Sequence, residues 1–157
     1  MMFVLNMKLK NPKAVILSLF VASAVFISAT AFFTNADFTP KITTATSDEI
    51  DSYSLRANDN EQRMQFFTQL GIAVDENTEI CDSVKIPDSF NAVYEKYNSL
   101  QKKIGLDLKP YRGKTAERFT YKTKDNKNYV IILIYNGNII GGHMTDGVWG
   151  SENYPLF

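Results

Sequence analysis

The stretch that decides the fold is FNAVYEKYNSLQKKIGLDLKPYRGKTAERFTY, residues Phe90–Tyr121. Phe90, Val93, Tyr94, Tyr97, Leu100, Gln101 and Ile104 step by three and four, the period of an amphipathic helix. Asp88 is placed to cap its start, and Lys102 and Lys103 suit the negative end of its dipole. Gly105 stops the helix, and Leu106 is positioned to fold back on the last turn, as in a Schellman motif. Pro110–Gly113 reads as a tight turn, after which Phe119, Tyr121 and Thr123 alternate with Arg118, Thr120, Lys122 and Lys124. A helix delivered directly into a strand with one wet face predicts an α+β domain.

The flanking sequence extends that pattern. Upstream, Asn58 and Glu61 predict a capped helix start, Met64, Phe66, Phe67 and Leu70 recur at helical spacing, and Gly71 ends the run. Ile72–Val74 reads as a brief strand, Asp75–Thr78 as a turn and Glu79–Ile86 as a second strand. In that second strand Cys81 faces away from Ile80, Val84 and Ile86. Downstream, Tyr129–Tyr135 (YVIILIY) has no polar interruption and predicts a central strand. Asn136-Gly137 predicts a type I′ hairpin into a strand over Asn138–Gly142, with a loop-like tail from His143 onward. The expected architecture is two helices packed against an antiparallel sheet of four or five strands, preceded by an N-terminal transmembrane helix.

That last element comes from residues 14–33, AVILSLFVASAVFISATAFF, which are 20 residues without a charge. A helix of that length rises about 30 Å, enough to cross a hydrocarbon core. Residues 1–13 form a basic leader with Lys8, Lys10 and Lys13 and three possible start methionines, Met1, Met2 and Met7. Lysines before the apolar run and acids after it place the N-terminus in the cytoplasm and the rest outside it. The alternative is secretion after signal cleavage at Ala29-Thr30-Ala31. Residues 34–57 are rich in Thr, Ser and Asp and predict a flexible stalk. Residues 58–147 are the expected extracytoplasmic domain and 148–157 a C-terminal tail.

Charge and residue inventory exclude several functions. The net charge is zero, but residues 1–36 carry +3, residues 37–92 carry −7 and residues 93–157 carry +4. These opposed halves neutralise one another, and no dense Lys/Arg stripe exists to bind nucleic acid. One cysteine, Cys81, and one histidine, His143, allow no internal disulfide and do not meet zinc-ligand spacing, so neither cofactor nor metal is expected. Cys81, His143 and Asp146 match the parts of a thiol nucleophile with base and orienter, but no surrounding motif supports them. Gly137, Gly141 and Gly142 precede no helix and so form no phosphate cradle.

Tyr94, Tyr97, Asn98, Gln101 and Tyr111 are the candidate binding residues, since aromatic rings with amide groups suit a protein, peptide or glycan partner. Against this stands the reading of the tyrosines, with Tyr121, as core and of Asn98 and Gln101 as fixing the following loop.

The run YNSLQKKIGLDLKPYRGK (Tyr97–Lys114), followed by RFTYK (Arg118–Lys122), resembles the signature of the bacterial domain of unknown function 4830. Arg63 with Phe66 and Phe67, Gly71 with Val74, VKIPDSF (Val84–Phe90) and LIYNGNIIGG (Leu133–Gly142) agree with it, so the likeness spans about residues 60–147. The resemblance implies a clostridial-type Gram-positive protein with a short membrane segment and one exported domain. It implies no activity, ligand or catalytic residue. The family pattern often has Trp where this chain has Ile72 and an acid where it has His143. The second departure counts against a shared catalytic site at position 143. The expected function is therefore a non-enzymatic binding module at the envelope. The alternatives are an envelope hydrolase or thiol enzyme using Cys81 and His143, and a spacer domain without a ligand.

Overall fold

A computed structural model of the chain describes residues 41–157 apart from Glu49 and Trp149. The leader and the apolar run at 14–33 lie outside the described residues. No described helix is long and apolar enough to cross a membrane.

The elements run β1 (Thr44–Ala45), β2 (Tyr53–Ser54), α1 (Asn60–Gln69), β3 (Val74–Lys85), α2 (Ala92–Lys103), a 3-10 turn (Lys109–Tyr111), β4 (Thr115–Thr123), β5 (Tyr129–Tyr135) and β6 (Asn138–Thr145). β1 and β2 pair with each other, and β3-β4-β5-β6 form one antiparallel meander. The fold is α+β, with four strands in the main sheet.

The uninterrupted apolar run of β5 serves two cores at once. Val130, Ile132 and Ile134 point to the larger core, with Phe119 and Tyr121 of β4 and Phe66 and Phe67 of α1. Leu133 points to the smaller core, with Ile86, Leu108, Tyr111 and Ile140, against which Phe90, Tyr94 and Tyr97 pack. One helix therefore covers each face of the sheet. This is why β5 lacks the polar alternation of a half-exposed strand.

Both helices end as full Schellman motifs, for the reason their terminal glycines predict. Gly71 (φ +68) and Gly105 (φ +75) take the left-handed conformation. Ile72 N–H reaches the Phe67 carbonyl at 2.9 Å and Leu106 N–H the Gln101 carbonyl at 3.0 Å. The Asn136-Gly137 hairpin also forms as expected, with both residues at positive φ.

Several boundaries differ from expectation. α1 is capped by Asp59, whose carboxylate accepts from Gln62 N–H at 2.8 Å, while Gln62 accepts back from Asn58 N–H at 3.0 Å. The cap is thus shifted by one residue. α2 is capped by Asn91, not Asp88, which instead pairs with Lys85. The turn expected at Asp75–Thr78 is a bulge inside one 12-residue strand. Its turn chemistry is real, since Asp75 accepts from Asn77 N–H and the Thr78 hydroxyl, but it kinks the strand without ending it. β6 runs on through His143, so that residue is in the sheet and not in the tail.

The largest correction concerns the stalk. From Thr43 onward that segment is part of the domain. Ala45, Tyr53, Leu55 and Ala57 are buried in the larger core. Ile139 N–H donates to the Leu55 carbonyl at 2.7 Å, and Ala57 N–H donates to that of Gly137 at 2.9 Å. The tail is not free either, because Leu156 is buried in the same core and the Phe157 ring meets Tyr53 edge-on at 5.9 Å.

Candidate functional site

The five candidate residues divide by burial. Asn98 is 1% exposed and Gln101 fully buried, so neither is available to a partner. Asn98 accepts from Leu108 N–H at 2.8 Å and donates to Asp107 at 2.9 Å. Burial opposes the Asp107 charge, but Lys109 N–H, the Asn98 amide and the ammonium groups of Lys102 and Lys109 hold its carboxyl below the usual range. Asn98 thus fixes the loop after α2. Gln101 acts further away, accepting from Gly142 N–H of β6 at 2.7 Å.

Tyr111 is 5% exposed and stacks edge-on with Tyr135 at 5.7 Å, so it too belongs to the core. The helix face is rotated relative to the apolar stripe expected from the sequence. Val93, expected inside, is 77% exposed, while Asn98, outside that stripe, points inward together with Gln101. They do so because Leu108 and Gly142 carry backbone donors that no ladder or helix bond meets.

Gly141 and Gly142 are where α2 and the C-terminal tail approach β6 from opposite sides. A Cβ at 141 would stand 3.1 Å from both Gln101 Oε1 and Leu108 Cδ2, and one at 142 only 2.8 Å from Leu156 Cδ1. The Gly-Gly pair is a packing feature and not a ligand cradle.

Tyr94 and Tyr97 remain partly exposed and join a row the sequence pattern did not reveal in full. Phe90 and Tyr94 centroids lie 4.7 Å apart, Tyr94 and Tyr97 5.6 Å, Tyr97 and His143 5.4 Å. The Tyr97 hydroxyl lies 3.0 Å from His143 Nδ1. Burial, then the Arg118 guanidinium, pushes the imidazole down to about 4, so near neutral pH it is uncharged and accepts the tyrosine proton at Nδ1. Burial and the neighbouring Tyr94 push the Tyr97 phenol up, which keeps it a donor.

Beside this row the sheet is open. On the α2 side, β3 and β4 present Ile80, 62% exposed, and the Asp82–Arg118 pair, exposed and bidentate with its Nε contact at 2.8 Å. The Arg118 hydrogen bonds hold the Asp82 carboxyl down, and Asp82 raises the guanidinium. Here α2 leaves half of one sheet face uncovered, bordered by partly exposed rings.

The register keeps the possible thiol–imidazole pair apart. Cys81 aligns with Phe119, Ile132 and Gly142 in one row, while His143 aligns with Ile131, Thr120 and Ile80 in the next. Adjacent rows face opposite sides of a sheet. Cys81 therefore sits on the α1 side of edge strand β3, and His143 on the α2 side of β6, three strand spacings or about 14 Å away. Burial and the Glu117 and Glu79 carboxylates raise the Cys81 thiol, the reverse of what a nucleophile needs. Asp146 accepts from Val148 N–H and the Ser151 hydroxyl, and so is engaged in its own loop.

Elsewhere, Arg63 of α1 donates to Tyr121 at 2.8 Å and Glu79 at 3.0 Å, and its guanidinium lies 4.2 Å from the Phe119 centroid. This clamps α1 to β3 and β4. A pocket of about 320 Å³ between α1 and β3 is lined by Met64, Phe67, Ile72 and Val74, with Glu76 and Lys124, and includes none of the candidate residues. Among the described residues no group of three or more metal-ligating side chains is gathered.

The geometry defines a class: a small α+β domain with a four-stranded meander, a helix on each face and one half-face open. The family model described as a domain of unknown function 4830 matches residues 66–144, and the chain belongs to that family. No curated protein and no solved structure matches the chain.

Proposed function

We propose that the chain is a membrane-anchored, extracytoplasmic module of a Gram-positive envelope that binds a protein, peptide or glycan partner and carries out no reaction of its own. The anchor rests on the uncharged run at 14–33 and its lysine-bearing leader. One observation carries the binding role: the open half-face of Ile80, Asp82 and Arg118 beside the Phe90–Tyr94–Tyr97 row. An aromatic border with an exposed, bidentate ion pair is the composition of a recognition surface, because the rings supply area and the charges supply register.

The test is a photo-crosslinking amino acid placed at Ile80 of the full-length protein in its own cells. A discrete adduct is expected, weakened by Arg118→Glu. If position 80 yields no adduct, or only those formed from equally exposed Val148 on the far loop, the binding reading is wrong.

A further inference from the structure

The two edges of the main sheet are finished differently. On β6 the outward backbone groups are met one after another. Ile139 N–H donates to the Leu55 carbonyl, Gly142 N–H to Gln101 Oε1, and Met144 exchanges two bonds with Tyr154, both at 2.9 Å. Along Ile80–Lys85 of β3 no described residue plays that part.

Ile86 fixes the phase of this open edge. Its N–H reaches the Lys114 carbonyl at 2.8 Å and its carbonyl accepts from Gly113 N–H at 2.9 Å, so its backbone faces β4. The ladder is unbroken over Ile80–Lys85. Alternation therefore turns Ile80, Asp82 and Val84 toward β4, and the N–H and C=O of Cys81, Ser83 and Lys85 outward. A bulge before Ile80 and a proline at Pro87 bound the stretch, and between them nothing breaks its regularity. A regular edge with unpaired backbone groups is a template for a further strand.

We infer that two copies of this chain join through these edges, with Ile80–Ile86 pairing antiparallel with itself about a two-fold axis at Ser83. The inference goes beyond the binding role and does not depend on it. Residues opposed across an antiparallel pair face alike and share one side of the sheet. An axis at Ser83 sets Ser83 opposite Ser83, Cys81 opposite Lys85, Asp82 opposite Val84 and Ile80 opposite Ile86 of the second copy. No like charges are opposed, and every outward residue of the stretch exchanges both of its backbone bonds.

Neighbouring axes do worse. At Asp82, two carboxylates would stand opposite each other at the closer of the two cross-strand spacings. At Val84, Cys81 would meet Pro87, which has no N–H to give. At Cys81, Ser83 and Lys85 would be set against residues of the bulge.

The Ser83 axis also brings the exposed Ile80 against Val84 and Ile86 of the second copy on the α2 side. The two open half-faces then merge into one surface, bordered at either end by a Phe90–Tyr94–Tyr97 row. Assembly stops at two copies. The contact is isologous, and the edges left over are the two β6 strands, whose outward groups are already met.

The experiment follows the full-length chain in detergent micelles over a protein concentration series. Sedimentation is expected to show monomer passing to dimer and nothing larger. Amide exchange at Cys81, Ser83 and Lys85 is expected to slow about tenfold in the dimer, and that at Asp82 and Val84 to stay unchanged. Cys81→Lys opposes Lys85 of the second copy twice and is expected to weaken the dimer about tenfold. Adding Lys85→Glu is expected to restore it, and both positions are exposed in the single copy. In a Cys81→Ser background, Ser83→Cys is expected to join to its counterpart through a short bismaleimide. The native Cys81, about 14 Å from its own counterpart in this register, is expected not to join.

A chain that sediments as a monomer throughout, or that grows past the dimer, overturns the inference. So does a dimer whose β3 amides exchange as in the monomer, or one equally strong in the wild type and Cys81→Lys. A photo-crosslinked adduct at position 80 with twice the chain's mass is the second copy, and one of any other mass is the partner. Dimer and binding role therefore stand or fall separately.

Discussion

The Tyr53 hydroxyl donates to the carbonyl of Ile104 and so ties the segment ahead of α1 to the last turn of α2. Burial pushes that phenol up to about 12, so the donor is retained across the physiological range. Thr46 approaches the same turn closely: a Cβ on Gly105 would stand 2.0 Å from the Thr46 carbonyl oxygen. The residues before position 58 thus close over α2 as structural parts of the domain.

Two glycine-to-alanine substitutions test this contact. Gly71 and Gly105 share a positive φ and the same helix-ending role, but a Cβ at Gly71 meets no atom within 4 Å. Gly71→Ala is expected to cost about 1 kcal/mol, from backbone conformation alone. Gly105→Ala pays that cost and displaces the Thr46 backbone, so a loss of more than about 2 kcal/mol is expected. Urea midpoints of the two variants check it. Equal losses would mean that the segment around Thr46 does not pack on α2.

Arg63 gives a second test. Its guanidinium is 10% exposed and bonds to both Tyr121 and Glu79. Arg63→Met keeps the aliphatic packing over Phe119 but leaves the Tyr121 hydroxyl and the Glu79 carboxylate facing an apolar side chain. A loss of about 3 kcal/mol is expected, as for one partner removed from a buried pair. Tyr121→Phe, which removes one hydrogen-bonding group and leaves the ion pair, is expected to cost about 1 kcal/mol. A double-mutant cycle between the two sites is expected to show coupling.

Most of this fold was legible in the sequence because its signals are local. Gly71, Gly105 and Asn136-Gly137 each demand a backbone conformation that few other residues adopt. The run Tyr129–Tyr135 announces a central strand covered on at least one face. What was not legible depends on distant partners. Tyr53, Leu55 and Leu156 sit among Thr, Ser and Asp or in a tail, and their burial follows from the position of β6 and α2. The candidate site was read in outline only. Tyr94 and Tyr97 do border an open face, and Gln101 lies on the stripe that helical periodicity shows, but the inward turn of Asn98 follows from the orphan donor at Leu108, which no helical periodicity reveals. Arg63 was visible only as part of a family pattern, and its role needed Tyr121 and Glu79 brought to it.

The lone thiol is expected to be accessible and slow. Cys81 is exposed, yet burial at its sulfur and the Glu117 and Glu79 carboxylates raise its pKa. Alkylation by iodoacetamide should therefore be slower at neutral pH than that of a free thiol and rise steeply above pH 9, since the thiolate is the reacting form. Glu117→Gln removes one of the opposing charges and is expected to shift this profile toward lower pH. Cys81→Ser is expected to change stability by less than about 0.5 kcal/mol, as for other exposed positions. A fast reaction at pH 7 would contradict this account of the thiol's surroundings.

His143 makes stability depend on pH in one direction. Its imidazole stays neutral in the folded chain down to about 4, because of burial and the Arg118 guanidinium, whereas an unfolded chain takes up the proton near 6.5. Between those values the unfolded state binds more protons, so stability falls as pH is lowered from 6.5 toward 4 and is complete above 6.5. The Tyr97 phenol, held as a donor to Nδ1, and the Arg118 charge both oppose protonation. The loss is expected to reach up to about 3 kcal/mol by pH 4. Carboxylates held low in the folded chain, such as Asp82 and Asp107, also lose stability as pH falls through their own lower range. The His143 contribution is therefore isolated by difference. Urea titrations at pH 7, 6, 5 and 4 are expected to show a stability gap between the wild type and His143→Gln that changes chiefly between pH 6.5 and 4. Arg118→Gln, which removes the nearby charge, is expected to move that window upward. A gap independent of pH in this range would mean that the imidazole titrates alike in both states, and the Tyr97–His143 contact would not be the buried neutral pair described.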